Sequence, residues 1–246
     1  NDAAQTRVHD VTTSEASMTL RYAPGESFVN SKQRRVPVSL GAPVFTLTHA
    51  MGFKGVLGGE YSFNRTEASV WKRFWLPSSW GKIDCSIKAG AEWNTVPFPL
   101  LILPEANLSY ITQRETFNLI NNMEFLNDRF ASVSLSYDMN GKLFNRIPLI
   151  KNLKWREMFR VRALWGTLTD KNNPFKSSNP DLFRFPMRDG KFTSFVMDPK
   201  IPYVEASVGI YNIFKLLHIE YVHRFTYRDN PGINKNGIRF MVLMVF

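Results

Sequence analysis

The sequence contains little cysteine and few of the motifs that enzymes use. It has one cysteine, Cys85, in 246 residues, which excludes an internal disulfide and a cysteine-based zinc cluster. It has four histidines, and it contains neither a glycine-rich phosphate loop nor a nucleophile elbow. We therefore predict no catalytic residues, no metal and no cofactor, and expect a protein that is not an enzyme.

Long apolar runs are also missing. A helix that spans a bilayer needs about 20 apolar residues, whereas the longest candidate, Pro97–Pro104, is short and bracketed by prolines. The strands of a membrane barrel need only about 9–11 residues and have a weak hydropathy signal. The missing runs therefore argue against spanning helices but not against spanning strands.

The charge of the chain is basic but dispersed. The net charge is +10, and nucleic-acid-binding proteins gather such charge on one helix, tail or module. No such cluster is visible, so we predict no nucleic acid partner. A barrel places basic residues in its lumen, or at rims that face anionic lipid headgroups. Hydrophobic residues make up 44% of the chain, which excludes a disordered protein.

The sequence does contain a repeated alternation of apolar and polar residues. From Ala131 to Met139 the odd positions are apolar and the even positions are Ser or Asp, and a period of two is typical of a β-strand with two unlike faces. The alternation recurs in residues 83–93, 155–165, 204–211 and 217–227, and weaker strand patterns lie in residues 18–23, 44–51, 67–76 and 237–246. Nine strands are predicted, or ten if Thr116–Leu126 is also a strand.

The two faces of these strands predict a membrane environment. The polar faces are too charged for a soluble core, and the apolar faces carry aromatic residues near their ends. We therefore predict an all-β fold, an antiparallel transmembrane β-barrel in the bacterial outer membrane, in contact with lipid that includes lipopolysaccharide. An open sheet of nine or ten strands would leave two unpaired edges in lipid. Residues 1–246 are thus expected to form the C-terminal part of a barrel whose other strands come from a longer protein or another chain.

The connections between strands fall into two sizes. Asn212–Lys215 is tight, whereas Thr169–Lys200 is long and rich in Pro and Asn. Outer-membrane barrels have short periplasmic turns and longer external loops. If the last residue is periplasmic, Thr169–Lys200 lies outside and Asn140–Lys154 inside. Thr116–Leu126 is either a strand or part of a loop; we favour the loop, because Thr95–Asp128 is then one long external connection.

Charged residues on the polar faces form the first candidate site. They would line the lumen as a wall: Arg156, Arg160, Arg162, Glu205, Glu220 and Arg224. The wall is interpreted as an ion or substrate path, as an anchor for an inward-folded loop, or as cross-strand pairs that hold register, and we favour the last. His218 shares a face with Glu220, as an acid/base pair or metal half-site would require. Ordinary lumen polar residues are the simpler interpretation.

Four separated motifs resemble one outer-membrane family of Bacteroidota. They are FNLINNMEFLNDRF (Phe117–Phe130), NRIPLIKNLKWRE (Asn145–Glu157), PYVEASVGIYNIFK (Pro202–Lys215) and the ending GIRFMVLMVF (Gly237–Phe246). The resemblance covers Phe45 to Phe246. Members of this family, whose function is poorly defined, join a carboxypeptidase-regulatory-like domain to a C-terminal barrel. That barrel is similar to the BamA and TamA superfamily of outer-membrane insertases and translocases.

The resemblance implies a barrel of about sixteen strands, with a periplasmic domain outside this sequence. It also implies a function: the barrel would assist the insertion, translocation or assembly of outer-membrane or surface proteins. Its partners would be other outer-membrane or periplasmic proteins. A scaffold subunit of a larger outer-membrane complex and a passive porin-like channel are the alternatives.

The resemblance points to two further sets of residues. In the superfamily a Val-Arg-Gly-Phe-like motif pins the long sixth external loop inside the barrel. Thr95–Asp128 lacks that motif, and its nearest charged candidates for an anchor are Glu124, Asp128 and Arg129. The terminal strand is expected to act as an assembly signal through Phe240, Val242, Met244 and Phe246. It is either a lateral gate, as in the superfamily, or a simple closing strand.

Overall fold

The computed structural model describes residues 10–30, 35–37, 41–113, 115–177, 182–188 and 190–242. Its strands are β1 Glu15–Tyr22, β2 Phe28–Asn30, β3 Arg35–Pro37, β4 Val44–Gly52, β5 Phe63–Trp75, β6 Lys82–Glu92, β7 Arg129–Asp138, β8 Arg156–Thr167, β9 Met187–Arg188, β10 Lys191–Phe192, β11 Tyr203–Ile213, β12 Leu217–Arg224 and β13 Asn236–Val242. Helical structure consists of α1, Pro148–Leu153, and three short 3-10 turns. Among the described residues no helix is long and apolar enough to cross a membrane.

Nine of the strands form one sheet, in the order β1-β4-β5-β6-β7-β8-β11-β12-β13. Every neighbouring pair is antiparallel, and the other four strands form two small hairpins. The predicted all-β antiparallel fold is confirmed, and the nine strands match the predicted number. Within the described residues the sheet does not close on itself, because β1 and β13 remain its two edges.

The register aligns the apolar residues of neighbouring strands on one face. Val133 of β7 has Ile87 of β6 and Ala163 of β8 as its partners. The side chains on this face are exposed or half-buried, whereas Ser134 and Ser136 line the opposite, concave face. The large exposed apolar residues of this outer face include Leu20, Phe45, Leu47, Val70, Phe74, Ile87, Leu135, Phe159, Val161, Trp165, Val208, Ile219, Tyr221, Ile238, Phe240 and Val242.

The connections at the two ends of the sheet differ in length. The long-connection end carries residues 53–62, 93–128, 168–202 and 225–235. The short-connection end carries residues 76–81, 139–155 and 214–216, together with 23–43, which is longer. The loop interpretation of Thr116–Leu126 agrees with the structure, because this stretch forms only isolated β-bridges.

The buried apolar residues lie mainly at the long-connection end. One cluster contains Val96, Leu101 and Leu126 with Phe63 at the start of β5. A second combines Phe117, Ile120, Phe125, Leu164, Met197 and Tyr203. Both clusters include residues of 93–128, so this connection has a core of its own and is fixed against the strand ends.

Candidate functional site

The connection 93–128, which we call the inserted segment, folds back onto the concave polar face of the sheet. Its contacts reach β8, β11, β12 and β13. The guanidinium of Arg162 donates to the Gln113 carbonyl at 3.1 Å, and that of Arg239 donates to the Asn118 carbonyl. The methyl end of Leu119 lies 2.9 Å from where a Cβ on Gly237 would stand. The polar face and the inserted segment together form the candidate site.

Arg224 on β12 holds the inserted segment by an ion pair with Glu124. The two side chains meet in a bidentate arrangement, at 3.0 and 2.6 Å, and both are almost fully buried. Arg224 also donates to the carbonyl oxygens of Leu119, Thr226 and Tyr227. All five guanidinium N–H groups therefore have acceptors, which is the condition for a buried arginine to be stable.

Glu205 on β11 holds the same segment through its backbone. Its carboxylate accepts hydrogen bonds from the amide N–H groups of Asn118 and Leu119, at 2.9 and 3.1 Å. It also accepts from the Tyr203 hydroxyl at 2.9 Å and from Arg162 at 3.1 Å. Glu205 and Arg162 are direct partners across β11 and β8. One carboxylate thus takes part in a cross-strand pair and in attachment of the segment.

Arg160, Glu220 and Ser207 form a second buried network, beside the first. Arg160 Nη1 donates to both oxygens of Glu220, at 2.8 and 2.9 Å, and the Ser207 hydroxyl donates to the same carboxylate. His218 Nε2 lies 3.4 Å from Glu220. Because Arg160 is on β8 and Glu220 on β12, this pair bridges across β11 and ties three strands together.

The described residues contain no group of three His, Cys, Asp or Glu side chains arranged to hold a metal ion. The contacts around His218 and Glu220 are those of a structural ion pair with Arg160. Since Arg160 and Ser207 already occupy the carboxylate, the geometry favours the structural interpretation of this pair over the catalytic one.

The structure separates the other predicted residues. Asp128 is buried, and its carboxylate accepts from the Thr169 amide and from the Asn172 side chain at 2.9 Å. Its side chain therefore joins the inserted segment to the connection 168–202, while its backbone bonds Glu92 and Thr167 at the ends of β6 and β8. Arg129 is exposed and lies on the same face of β7 as Val133, the outer face. Its side chain therefore points away from the inserted segment, and the structure gives no support to the hypothesis that it anchors the loop. Arg156 shares the polar face of β8 with Arg160 and Arg162, as predicted, but is exposed, near the Tyr211 ring at the short-connection end.

The terminal strand β13 presents Phe240 and Val242 on the exposed outer face. Its free edge pairs with the inserted segment, because Phe240 N donates to the Tyr110 carbonyl at 2.9 Å and Thr112 N donates to the Phe240 carbonyl at 2.8 Å. Two further members of the predicted set, Met244 and Phe246, lie outside the described residues.

A cavity of about 710 Å³ remains on the polar face where the inserted segment does not cover it. Its walls include Ser86, Lys88 and Asp138 on the sheet and Glu105 on the segment. Lys88 bonds Glu105 at 3.0 Å, and the Tyr211 hydroxyl donates to Asp138 at 2.5 Å. These groups were not predicted as a site from the sequence. Their positions among the polar residues of alternating strands could have indicated that they share one face.

Tyr227, in the connection after β12, fixes this loop to its neighbour. Its hydroxyl donates to the Ile201 carbonyl at 2.7 Å and accepts from the Asp198 amide at 3.0 Å. Burial raises the pKa of the Tyr227 phenol, so the hydroxyl keeps its proton and can act as this donor. The long connections are therefore joined to one another as well as to the sheet.

Comparison with known proteins identifies a family. Residues 1–175 match the model described as "Family of unknown function (DUF5686) C-terminal domain". The motifs Phe117–Phe130 and Asn145–Glu157 lie within the match, and the two later motifs lie beyond it. No curated protein matches the chain. Because the matched residues are more than half of the 246, the chain belongs to the family of unknown function DUF5686, whose C-terminal domain it matches.

Proposed function

We propose that this chain is the C-terminal part of an outer-membrane β-barrel that assists the insertion, translocation or assembly of outer-membrane or surface proteins. The observation that carries the membrane part is the outer face of the sheet. Apolar side chains such as Ile87, Leu135 and Val208 are exposed there from β1 to β13. Soluble monomers rarely expose a contiguous apolar patch of more than a few hundred Å², whereas a barrel covers such a face with lipid.

The two sheet edges support a barrel that is completed by other strands. β1 and β13 each have one neighbour in the nine-stranded sheet, and among the described residues the inserted segment pairs with the outer edge of β13 at Phe240 alone. Unpaired backbone groups in lipid cost several kcal/mol each, on the order estimated for transfer to hydrocarbon. Upstream strands, a carboxypeptidase-regulatory-like periplasmic domain and a likeness to the BamA and TamA superfamily are parts of this proposal.

The inserted segment favours an assembly function over a passive porin. It covers part of the polar face of β11 and β12, where it binds Glu205 and Arg224, and leaves a cavity of about 710 Å³ beside it. A porin keeps its lumen filled with water. Protein partners in the outer membrane or periplasm remain part of the proposal, and no enzymatic role is proposed.

Arginine substitutions at adjacent positions of β6 test the membrane location. Ile87, in the middle of the strand, faces outward, whereas Ser86 lines the cavity between Trp71 and Ser134. Ile87→Arg is expected to lower the free energy of unfolding in lipid by about 2–4 kcal/mol, because it places a charge near the bilayer midplane. Ser86→Arg, the matched control, should cost much less. Equal losses in urea unfolding from vesicles would contradict the proposal.

Depletion in the native bacterium tests the assembly function. Loss of the protein should lower the abundance of many other outer-membrane barrels, as measured by quantitative proteomics of outer-membrane fractions. Loss of one complex alone would favour a scaffold instead. A large, stable conductance of the purified full-length protein in planar bilayers would identify a porin and overturn the proposal.

A further inference from the structure

The connections at the short-connection end of the sheet carry an excess of positive charge. Connections 76–81, 139–155 and 214–216 contain no acidic residue, and their basic residues are Lys142, Arg146, Lys151, Lys154 and Lys215. The fourth connection at this end, 23–43, has three basic residues and one acidic residue. At the long-connection end the four connections contain ten acidic and ten basic residues. The excess of positive charge in the connections is therefore confined to one end.

The same end exposes apolar side chains beside these cations. In 139–155 the exposed residues include Leu143, Ile147, Leu149 and Leu153, and Leu149 is 82% exposed. Leu149 and Leu153 are four residues apart in α1 and so lie on one face of it. In the neighbouring turn Phe214 is 81% exposed. Basic side chains and large apolar side chains are thus both exposed on the surface formed by 139–155 and 214–216.

Hydrogen bonds between the connections make this surface continuous. The Asn212 side chain donates to the Lys154 carbonyl at 2.7 Å. Lys142 donates to the Ser78 carbonyl at 2.9 Å and lies 5.0 Å from the centre of the Trp80 ring. The turn between β5 and β6 is itself held close to β7, since a Cβ on Gly81 would stand 1.8 Å from the Asp138 carbonyl oxygen.

The charges on this surface are available to a ligand. Arg146, Lys151, Lys154 and Lys215 are exposed, and none forms an ion pair with another described residue. At the long-connection end, by comparison, Lys176 pairs with Asp170 at 3.0 Å. Unpaired cations next to apolar side chains are typical of segments that lie in a membrane interface.

We infer that the connection 139–155, with the turn 214–216, lies in the lipid interface and binds the headgroups of anionic phospholipids. This inference rests on the proposed membrane location. The connection starts and ends on β7 and β8, whose outer face would meet lipid, so it emerges at the level of the headgroups. Leu149, Leu153 and Phe214 enter the acyl boundary, and Arg146 and Lys151 contact phosphate. Basic residues near a membrane surface attract anionic lipid headgroups.

A fluorescent probe on α1 tests the inference in the full chain. Cys85→Ala removes the native thiol, and Asn152→Cys provides an exposed position for a bimane label. The labelled protein is reconstituted into vesicles of phosphatidylcholine with brominated phosphatidylglycerol, or with the same share of brominated phosphatidylcholine. Quenching by the brominated phosphatidylglycerol should be stronger by at least about threefold at low salt, and the difference should shrink at high salt.

Charge variants decide which residues provide the preference. Arg146→Gln together with Lys151→Gln should abolish the preference for phosphatidylglycerol. Lys54→Gln together with Lys200→Gln removes the same charge from the long-connection end and should leave it unchanged. Equal quenching by both brominated lipids in the labelled protein that keeps Arg146 and Lys151 would overturn the inference. The same would follow if the variant without these two charges were still quenched more strongly by brominated phosphatidylglycerol.

Two other results have separate meanings. If bimane on α1 is unquenched by either lipid while Ile87→Arg still destabilises the protein far more than Ser86→Arg, the barrel proposal stands and the lipid inference fails. If Ile87→Arg and Ser86→Arg are equivalent, the membrane location fails first. Protection of the bimane from both lipids by an added acidic protein would identify a protein-docking surface and overturn the inference.

Discussion

Two regions of the polar face carry similar ion pairs in different environments. Under the inserted segment, Arg224 and Glu124 have side chains that are 0% and 1% exposed. On β5 and β6, Arg73 and Asp84 form an equally bidentate pair, at 2.6 and 2.8 Å, but Asp84 is 26% exposed. Both arginines lie on strands of the same sheet in which polar and apolar residues alternate. Arg73 is itself only 9% exposed, so the two regions differ mainly in the carboxylate: Glu124 under the inserted segment is closed off from water, whereas Asp84 is not.

The difference has an energetic consequence. A buried ion pair owes its stability to complete pairing, since removal of one partner leaves an uncompensated charge. A pair that borders a water-accessible cavity loses less, because water can solvate the remaining partner. Substitutions in the covered region should therefore cost more than the same substitutions in the open region.

The largest effect is expected from Arg224→Gln. It leaves the buried carboxylate of Glu124 without its cation and should lower the free energy of unfolding by about 3–5 kcal/mol. Arg73→Gln, the matched change in the open region, should cost about 1 kcal/mol. Urea unfolding of the full chain in detergent, followed by circular dichroism, measures both. If the Arg224 variant does not fold, the double variant Arg224→Met/Glu124→Leu should recover part of the lost stability. Equal losses from Arg224→Gln and Arg73→Gln would refute the expected difference between the two regions.

The next effect is expected from Glu205→Gln, which preserves the shape of the side chain and removes the negative charge that faces both the inserted segment and Arg162. The amide N–H groups of Asn118 and Leu119 lose a carboxylate acceptor, and such charge-assisted bonds are worth about 1.5–3 kcal/mol. Hydrogen exchange at these two amides should become faster, while exchange in β6 stays the same. Asp84→Asn serves as the control in the open region. Unchanged protection at both amides would mean that Glu205 does not hold the segment.

The smallest effect is expected from Lys88→Gln. Lys88 bonds Glu105 and Glu115 at 3.0 and 3.2 Å, but these carboxylates are 49% and 69% exposed. Pairs of this kind contribute about 0–1 kcal/mol and are screened by salt. Thermal unfolding at low and high salt should show a small loss that disappears at high salt. A loss as large as that of Glu205→Gln would show that this edge of the segment is also firmly attached.

The strands and their faces were predictable from the sequence, because side chains in a strand alternate sides regardless of what covers them. Val204, Ala206 and Val208 lie on the predicted outer face, and Glu205 and Ser207 on the polar one. The loop assignment of Thr116–Leu126 also held. Arg156 lies on the predicted polar face but at an exposed strand end, because alternation and charge alone do not say whether a strand end is covered.

The contacts of the inserted segment were not predictable in detail. Glu124 and Arg224 are 100 residues apart in the chain, and no local pattern links them. Asp128 was grouped with Glu124 as a candidate anchor, yet it binds Thr169 and Asn172 in another connection. The attachment of Asn118 and Leu119 uses backbone N–H groups, which every residue except proline carries. Side-chain identity therefore gave no signal for it.

The antiparallel strands, their two unlike faces and the basic character of the connections at one end can all be inferred from the amino-acid sequence. These properties are local, because they follow from the two-residue period of a strand and from the composition of short segments. The return of residues 93–128 to the polar face, where they bind Glu205 and Arg224, is a property of the folded chain alone. The position of this segment depends on packing between residues far apart in the chain, because a charged side chain can be buried only where its partner is buried with it.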